Sequence, residues 1–131
     1  MRRIRDFIFA MCALGLISGC TPDQIDWWLN APPDQRDAAT EYVVREAAAE
    51  FGVDPDLMLR IQRCEGSVPW ARNRSTASGL FQHIERYWPG RAAAVGADGA
   101  PWWDPQANAR AAAWMMANGG TAPWRASSRC W

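Results

Sequence analysis

Lysine is absent from this 131-residue chain: all 14 basic residues are arginine, and 14 acidic residues bring the formal net charge to zero. With no basic excess and an isoelectric point near 6.6, a nucleic-acid binder driven by phosphate neutralisation is disfavoured. Histidine occurs once, as His83, and there is no CxxC pair, so the usual spacing of a metal-ligand set is missing. No internal repeat appears, and no segment alternates apolar and polar residues convincingly enough to read as a strand. The length suits one domain and not two. What is present points to helix: 23 alanines favour it, and an apolar fraction of 49% argues against disorder. Nine tryptophans are the oddest feature of the composition.

Residues 1–20 have the form of an export signal. Arg2, Arg3 and Arg5 precede the uncharged apolar run Phe7–Ile17, which is 11 residues long. A bilayer span needs about 20, so the run reads as a signal-peptide core. It ends in Ile17-Ser18-Gly19-Cys20, which resembles a bacterial lipobox. That resemblance implies a diacylglycerol on the Cys20 thiol, cleavage after residue 19, and a lipid-anchored exported protein. The alternative is an ordinary secretory signal with Cys20 incidental. Either cut removes Arg2, Arg3, Arg5 and Asp6, leaving 11 arginines against 13 acidic residues.

Of the four cysteines, Cys12 leaves with the signal and Cys20 is the lipidation candidate. Cys64 and Cys130 remain in an oxidising setting, where pairing is expected. A bridge across that span would contribute about 4 kcal/mol by loop entropy. Two buried thiols or a metal pair are the alternatives, and with a single histidine the metal pair is the poorer one.

Residues 20–36 read as a tether with one helical turn, and the folded domain as 37–131. A first helix is expected from about Asp37 to Phe51, with Ala39, Val43, Ala47 and Phe51 on one stripe and Gly52 closing it. Asp54-Pro55 gives an N-cap and a first-turn proline for a second helix ending at Glu65. Ser78 should cap a short helix, and another is expected over Gly90–Val95. Asp104-Pro105 should open a last long helix that runs to about Ala117. The fold class is therefore mainly α, with little or no β.

On the second helix, Leu57, Met58, Ile61, Cys64 and Glu65 share one arc of about 120°. Glu65 thus lies on the edge of an apolar stripe and at the negative end of the helix dipole. Both features disfavour the ionised carboxylate, as a general acid requires. The competing reading is a solvated terminal glutamate. Among the tryptophans, Trp114 sits on a helical stripe and reads as core. Trp70, Trp88, Trp102 and Trp124 each adjoin a proline, and are either core lids or exposed platforms for sugar rings.

The stretch from Tyr42 to Trp131 resembles the catalytic domain of lytic transglycosylases of the soluble type, within the lysozyme-like superfamily, and in particular small exported versions from actinobacteria and their phages. The matching pieces are Glu65 after Phe51-Gly52-Val53-Asp54-Pro55, then Ala77-Ser78-Gly79-Leu80-Phe81-Gln82-His83, then Asp104-Pro105-Gln106-Ala107-Asn108. The resemblance implies a lysozyme-like helical fold and cleavage of peptidoglycan between N-acetylmuramic acid and N-acetylglucosamine, leaving a 1,6-anhydro end. It implies Glu65 as the catalytic acid and base, with no metal and no cofactor. Ser78, Gly79, Phe81 and Gln82 would form the substrate-contacting turn, with Phe81 in place of the family's methionine.

Three departures accompany the match. The family's Glu-Ser pair is here Glu65-Gly66-Ser67, so the hydroxyl beside the acid falls to Ser67 or is lost. The Ala-Tyr-Asn-Ala-Gly stretch of many relatives is replaced by Asn118-Gly119-Gly120 and Trp124, which leaves Tyr87 as a substitute tyrosine. The Cys64/Cys130 pair is not general to the superfamily and would pin the C-terminus beside the acid. The expected partners are peptidoglycan strands and a membrane through Cys20, with the protein a monomer. Two other functions compete: a lipoprotein that binds glycan without cutting it, and a lysozyme-type hydrolase. The hydrolase would need a second carboxylate from Glu85, Asp98 or Asp104.

Overall fold

The computed structural model describes residues 20–66 and 68–131. The signal segment expected over 1–19, and Ser67, lie outside the described residues. Within them the chain is mainly helical, with α1 (Pro22–Asn30), α2 (Pro33–Phe51), α3 (Pro55–Glu65), α4 (Trp88–Ala94) and α5 (Pro105–Gly119). Two short strands, β1 (Ala77–Ser78) and β2 (His83–Ile84), pair antiparallel with Ala77 opposite Ile84 and Ser78 opposite His83. Single 3-10 segments cover Glu85–Tyr87 and Ala122–Ser127.

The caps set most boundaries. Asp54 accepts from the Asp56 and Leu57 amides and Pro55 occupies the first turn, so α3 begins where the sequence places it. Gly52 closes α2 in the left-handed conformation at φ 70°. Asp104 accepts from the Ala107 amide and starts α5. α2 begins at Pro33, four residues earlier than expected, because Pro33 sits in the first turn, where its missing N–H costs nothing.

The expected tether is a correction. Residues 22–30 form α1, held at its start by a reciprocal box in which Thr21 Oγ accepts from the Gln24 amide and Gln24 Oε1 accepts from the Thr21 amide. Trp28 from this helix is buried in the main core, so the segment belongs to the folded unit.

That core joins Trp28 to the inner faces of α2 and α3, to Leu80 and Phe81, and to Ala109, Ala112, Ala113 and Met116 of α5. α5 is buried on almost every side, and its alanines let α2 approach it closely. Glu50 and Arg110 lock the two helices with paired bonds of 2.7 and 2.8 Å. A second cluster gathers Trp88, Ala92, Val95, Ala97, Ala107 and Ala111 on the other side of α5. Trp114, expected in the core, is partly buried against this cluster.

Candidate active site

Glu65 is the last residue of α3, since Gly66 turns the backbone to extended geometry at φ −135° and ψ 116°. The Gln62 side chain fixes this exit by donating from Nε2 to the Gly66 carbonyl at 2.6 Å. A Cβ on Gly66 would lie 2.4 Å from the Gly79 carbonyl oxygen and 3.0 Å from that of Leu80. The end of α3 therefore presses directly on the turn of the hairpin, at a distance only glycine permits.

On its other side Glu65 meets the C-terminal tail. Cys64 and Cys130 form a disulfide with Cα atoms 6.0 Å apart, which brings the 3-10 segment Ala122–Ser127 against α3. Ser127 Oγ donates to Glu65 Oε1 at 2.5 Å, and Trp131 Nε1 donates to Ser127 Oγ at 3.0 Å. The Ser127 hydroxyl has a second acceptor in the Trp124 carbonyl at 3.1 Å, longer than its contact with Oε1, while no bond from the described residues occupies Oε2. Glu65 itself is half-buried.

The hairpin turn Gly79–Gln82 is held from α5. Asn108, fully buried, accepts from the Phe81 amide at 2.9 Å and donates to the Ser78 and Trp102 carbonyls at 3.3 and 3.0 Å. Gly79 adopts φ 83°, and a Cβ there would lie 2.1 Å from Asn108 Nδ2. Gln82 also takes a positive φ of 51°. Its amide nitrogen donates to the Ala71 and Gly79 carbonyls at 3.1 and 2.9 Å, so both donors close the turn and Oε1 is left as an acceptor. Behind the turn, the buried His83 ring contacts the Asn108 carbonyl through Nε2 at 3.0 Å. A carbonyl only accepts, so Nε2 carries the hydrogen and Nδ1 accepts from Arg91 at 3.1 Å. Burial, with a smaller push from the neighbouring Arg91 charge, drives the imidazole pKa down to about 4. Arg91, itself half-buried, has its pKa lowered by the same loss of solvent.

These positions correct several expectations. Ser78 does not cap a helix: it lies in β1, buried, with its hydroxyl bonded to the Thr76 carbonyl at 3.1 Å. The left-handed φ of Gly79 and Gln82 turns the chain back into β2 instead. Gly79 and Phe81 are buried as well, so Ser78 and Phe81 shape the turn from inside and do not line a cleft with their side chains. Trp124 is a core lid and not a sugar platform. It stacks edge-on to Phe81 at 6.3 Å and donates from Nε1 to the Phe81 carbonyl at 2.9 Å. Tyr87 is exposed and its hydroxyl accepts from Arg86 at 2.8 Å, with no bond towards Glu65. Of the second-carboxylate candidates, Glu85 pairs with Arg72, Asp98 is exposed, and Asp104 is the buried cap of α5.

The structure thus assembles Glu65, Gly66, the Gly79–Gln82 turn and the bridged tail, and leaves Tyr87 outside that set. Sequence reading missed Ser127, Trp131 and the anchoring role of Asn108. The hint lay in spacing alone: Cys64 precedes Glu65, and Ser127 stands three residues before Cys130. Among the described residues no cluster of three or more His, Cys, Asp or Glu gathers to hold a metal ion, and no described helix is long and apolar enough to cross a membrane. Comparison with family models, with curated proteins and with solved structures finds no match.

Proposed function

We propose that the chain is an exported lytic transglycosylase of lysozyme-like type, held at a membrane through a lipid on Cys20, in which Glu65 alone supplies the acid and the base. The observation that carries this reading is the setting of Glu65. It is a half-buried carboxylate at a helix end, aimed by Ser127, and set against a glycine-tight turn. Ser127 supplies from the C-terminal tail the hydroxyl that the Glu65-Gly66 departure removes from the next residue.

In the reaction, the protonated Glu65 gives its proton to the oxygen linking N-acetylmuramic acid to N-acetylglucosamine. As that bond opens, the carboxylate takes the proton of the muramyl 6-hydroxyl, whose oxygen closes on C1. The product is a 1,6-anhydro ring, and no water is consumed. An intramolecular nucleophile needs no second residue to activate water, in contrast to two-carboxylate glycosidases. The Oε2 atom, with no bond from the described residues, is the one placed to carry the proton. Gln82 Oε1 offers an acceptor for an acetamido N–H.

The experiment is digestion of purified peptidoglycan with mass spectrometry of the products. The wild type should release anhydro-muropeptides. Glu65→Gln preserves the shape and should lower turnover by about 10²–10⁴-fold while still binding glycan, and Asp98→Asn should leave the rate unchanged. Near-normal turnover in Glu65→Gln would overturn the assignment. Hydrated instead of anhydro ends would make the enzyme a hydrolase, and binding without any cleavage would make it a glycan-binding lipoprotein.

A further inference from the structure

A groove of about 240 Å³ opens between α1 and the loops carrying Pro69-Trp70 and Trp102-Trp103. At its rim Trp70, Trp103 and Leu29 keep 38%, 43% and 54% of their surface in water. Two exposed indoles and a leucine around an apolar hollow form a contiguous patch that calls for an occupant. Trp28, also in the wall, is buried with its Nε1–H lacking an acceptor in the structure. The apolar wall of the groove suits an occupant with an apolar body, such as the acyl chain of a glycerolipid. Cations stand at the same rim: the Arg36 guanidinium lies 5.0 Å from the Trp70 ring centre, and that of Arg72 lies 5.9 Å from Trp102.

The position of Cys20 says which occupant is at hand. Cys20 donates its backbone N–H to Asp104 at 2.5 Å, and Asp104 directly follows Trp103. α1, one wall of the groove, begins two residues after Cys20. Upstream, the apolar run Phe7–Ile17 ends three residues before Cys20, a reach of about 10 Å even when fully extended. With the lipid of the proposed function on Cys20, the acyl phase of a membrane begins within a few residues of this groove.

We infer that Trp70, Trp103 and Leu29 form a membrane-docking surface that seats the domain on a phospholipid bilayer. The indoles sit at headgroup level, where their apolar rings and polar N–H are both accommodated, and Arg36 reaches lipid phosphates from the rim. A chain already tethered next to the patch docks intramolecularly, so weak contacts suffice to hold one orientation. A glycan chain suits the groove less well, because its hydroxyls need polar partners and the wall is built from Ile25, Leu29, Pro69 and tryptophans. The inference is independent of the chemistry at Glu65 and shares with the proposed function only the placement of Cys20 at a membrane.

The test uses the full chain reconstituted in vesicles of phosphatidylcholine and phosphatidylglycerol, with lipids brominated near the top of the acyl chain as quenchers of tryptophan fluorescence. The wild type should float with the vesicles and be quenched. Trp70→Ser/Trp103→Ser should float equally, unfold at the same temperature, and lose more than half of the quenching. In the wild type, N-bromosuccinimide should oxidise Trp70 and Trp103 several-fold more slowly on vesicles than in detergent, a readout that needs no variant. Equal quenching in both proteins, or equal oxidation rates, overturns the docking surface and leaves the anchor standing. A wild-type chain that stays in solution overturns both. Protection of the two indoles by soluble glycan fragments but not by vesicles assigns the groove to sugar and also overturns the inference.

Discussion

Ser127 gives Glu65 a neighbour that local sequence does not supply. Its hydroxyl donates to Oε1, and the Trp131 indole fixes the hydroxyl in turn. Under the proposed function Ser127 would be a positioning residue, which holds the carboxylate in one rotamer without exchanging a proton with substrate. Ser127→Ala should lower kcat about tenfold, corresponding to about 1.4 kcal/mol of transition-state stabilisation, with KM unchanged. Ser127→Thr, which retains the hydroxyl, should restore most of the rate. Steady-state kinetics separates this from a general packing defect, which would move KM or the melting temperature as well. Glu65 was legible because helix ends obey local rules: Asp54 and Pro55 start α3, and Gly66 stops it. Ser127 was not, because it lies 62 residues further along the chain and reaches the site only through the bridge and a 3-10 segment. Asp104 was legible as a cap but not as a buried group. Burial raises its pKa, an effect that the amides of Ala107 and Cys20 partly offset.

The elements show the same division between local and distant causes. α3 and α5 follow from cap and proline pairs that operate within four residues. α1 was missed although its signature is present in Thr21-Pro22-Asp23-Gln24, a threonine followed three residues later by glutamine with proline at the first turn. Pro32-Pro33 reads as an ending for α1 and equally well as the beginning of α2, and the second role prevails. Ser78-Gly79 resembles a helix cap, yet a hairpin forms there. What decides otherwise is Asn108, 27 residues beyond Phe81, whose side chain occupies the turn. Asn108→Ala would strand the Phe81 amide and the Ser78 and Trp102 carbonyls without partners. The loss should be about 3 kcal/mol, a fall of roughly 10–20 °C in melting temperature for a domain of this size. Calorimetry checks it, and a change of under 1 kcal/mol would mean that water replaces the side chain.

For the whole molecule, acid is the condition that exposes the cost of a buried neutral histidine. Unfolded His83 takes up a proton near pH 6.5, whereas in the fold its pKa lies at about 4. Between those values the unfolded chain binds more protons, so stability falls as the pH falls. The loss on going from pH 7 to 4 is on the order of 3 kcal/mol. The raised pKa of Asp104 acts in the opposite direction, but it is common to wild type and His83→Gln and cancels in their comparison. Urea unfolding of both proteins across this range should show the wild type losing its advantage towards pH 4. Parallel curves would mean that His83 titrates in the fold as it does in the unfolded chain.

Under the proposed function, the Cys64–Cys130 bridge would make the candidate site an interlock governed by compartment. It is one of two holds on the tail that delivers Ser127 to Glu65, the other being Trp124 in the core, so a chain still in a reducing environment would lack the covalent hold on that guide. If the proposed activity depends on that guide, competence would arrive only with oxidation, after export. Reduced and alkylated protein, assayed well below its melting temperature, should cut peptidoglycan at least tenfold more slowly than the oxidised form, and reoxidation of protein reduced without alkylation should return the rate. Activity that survives reduction as long as the fold does would show that the bridge stabilises the domain without arming it.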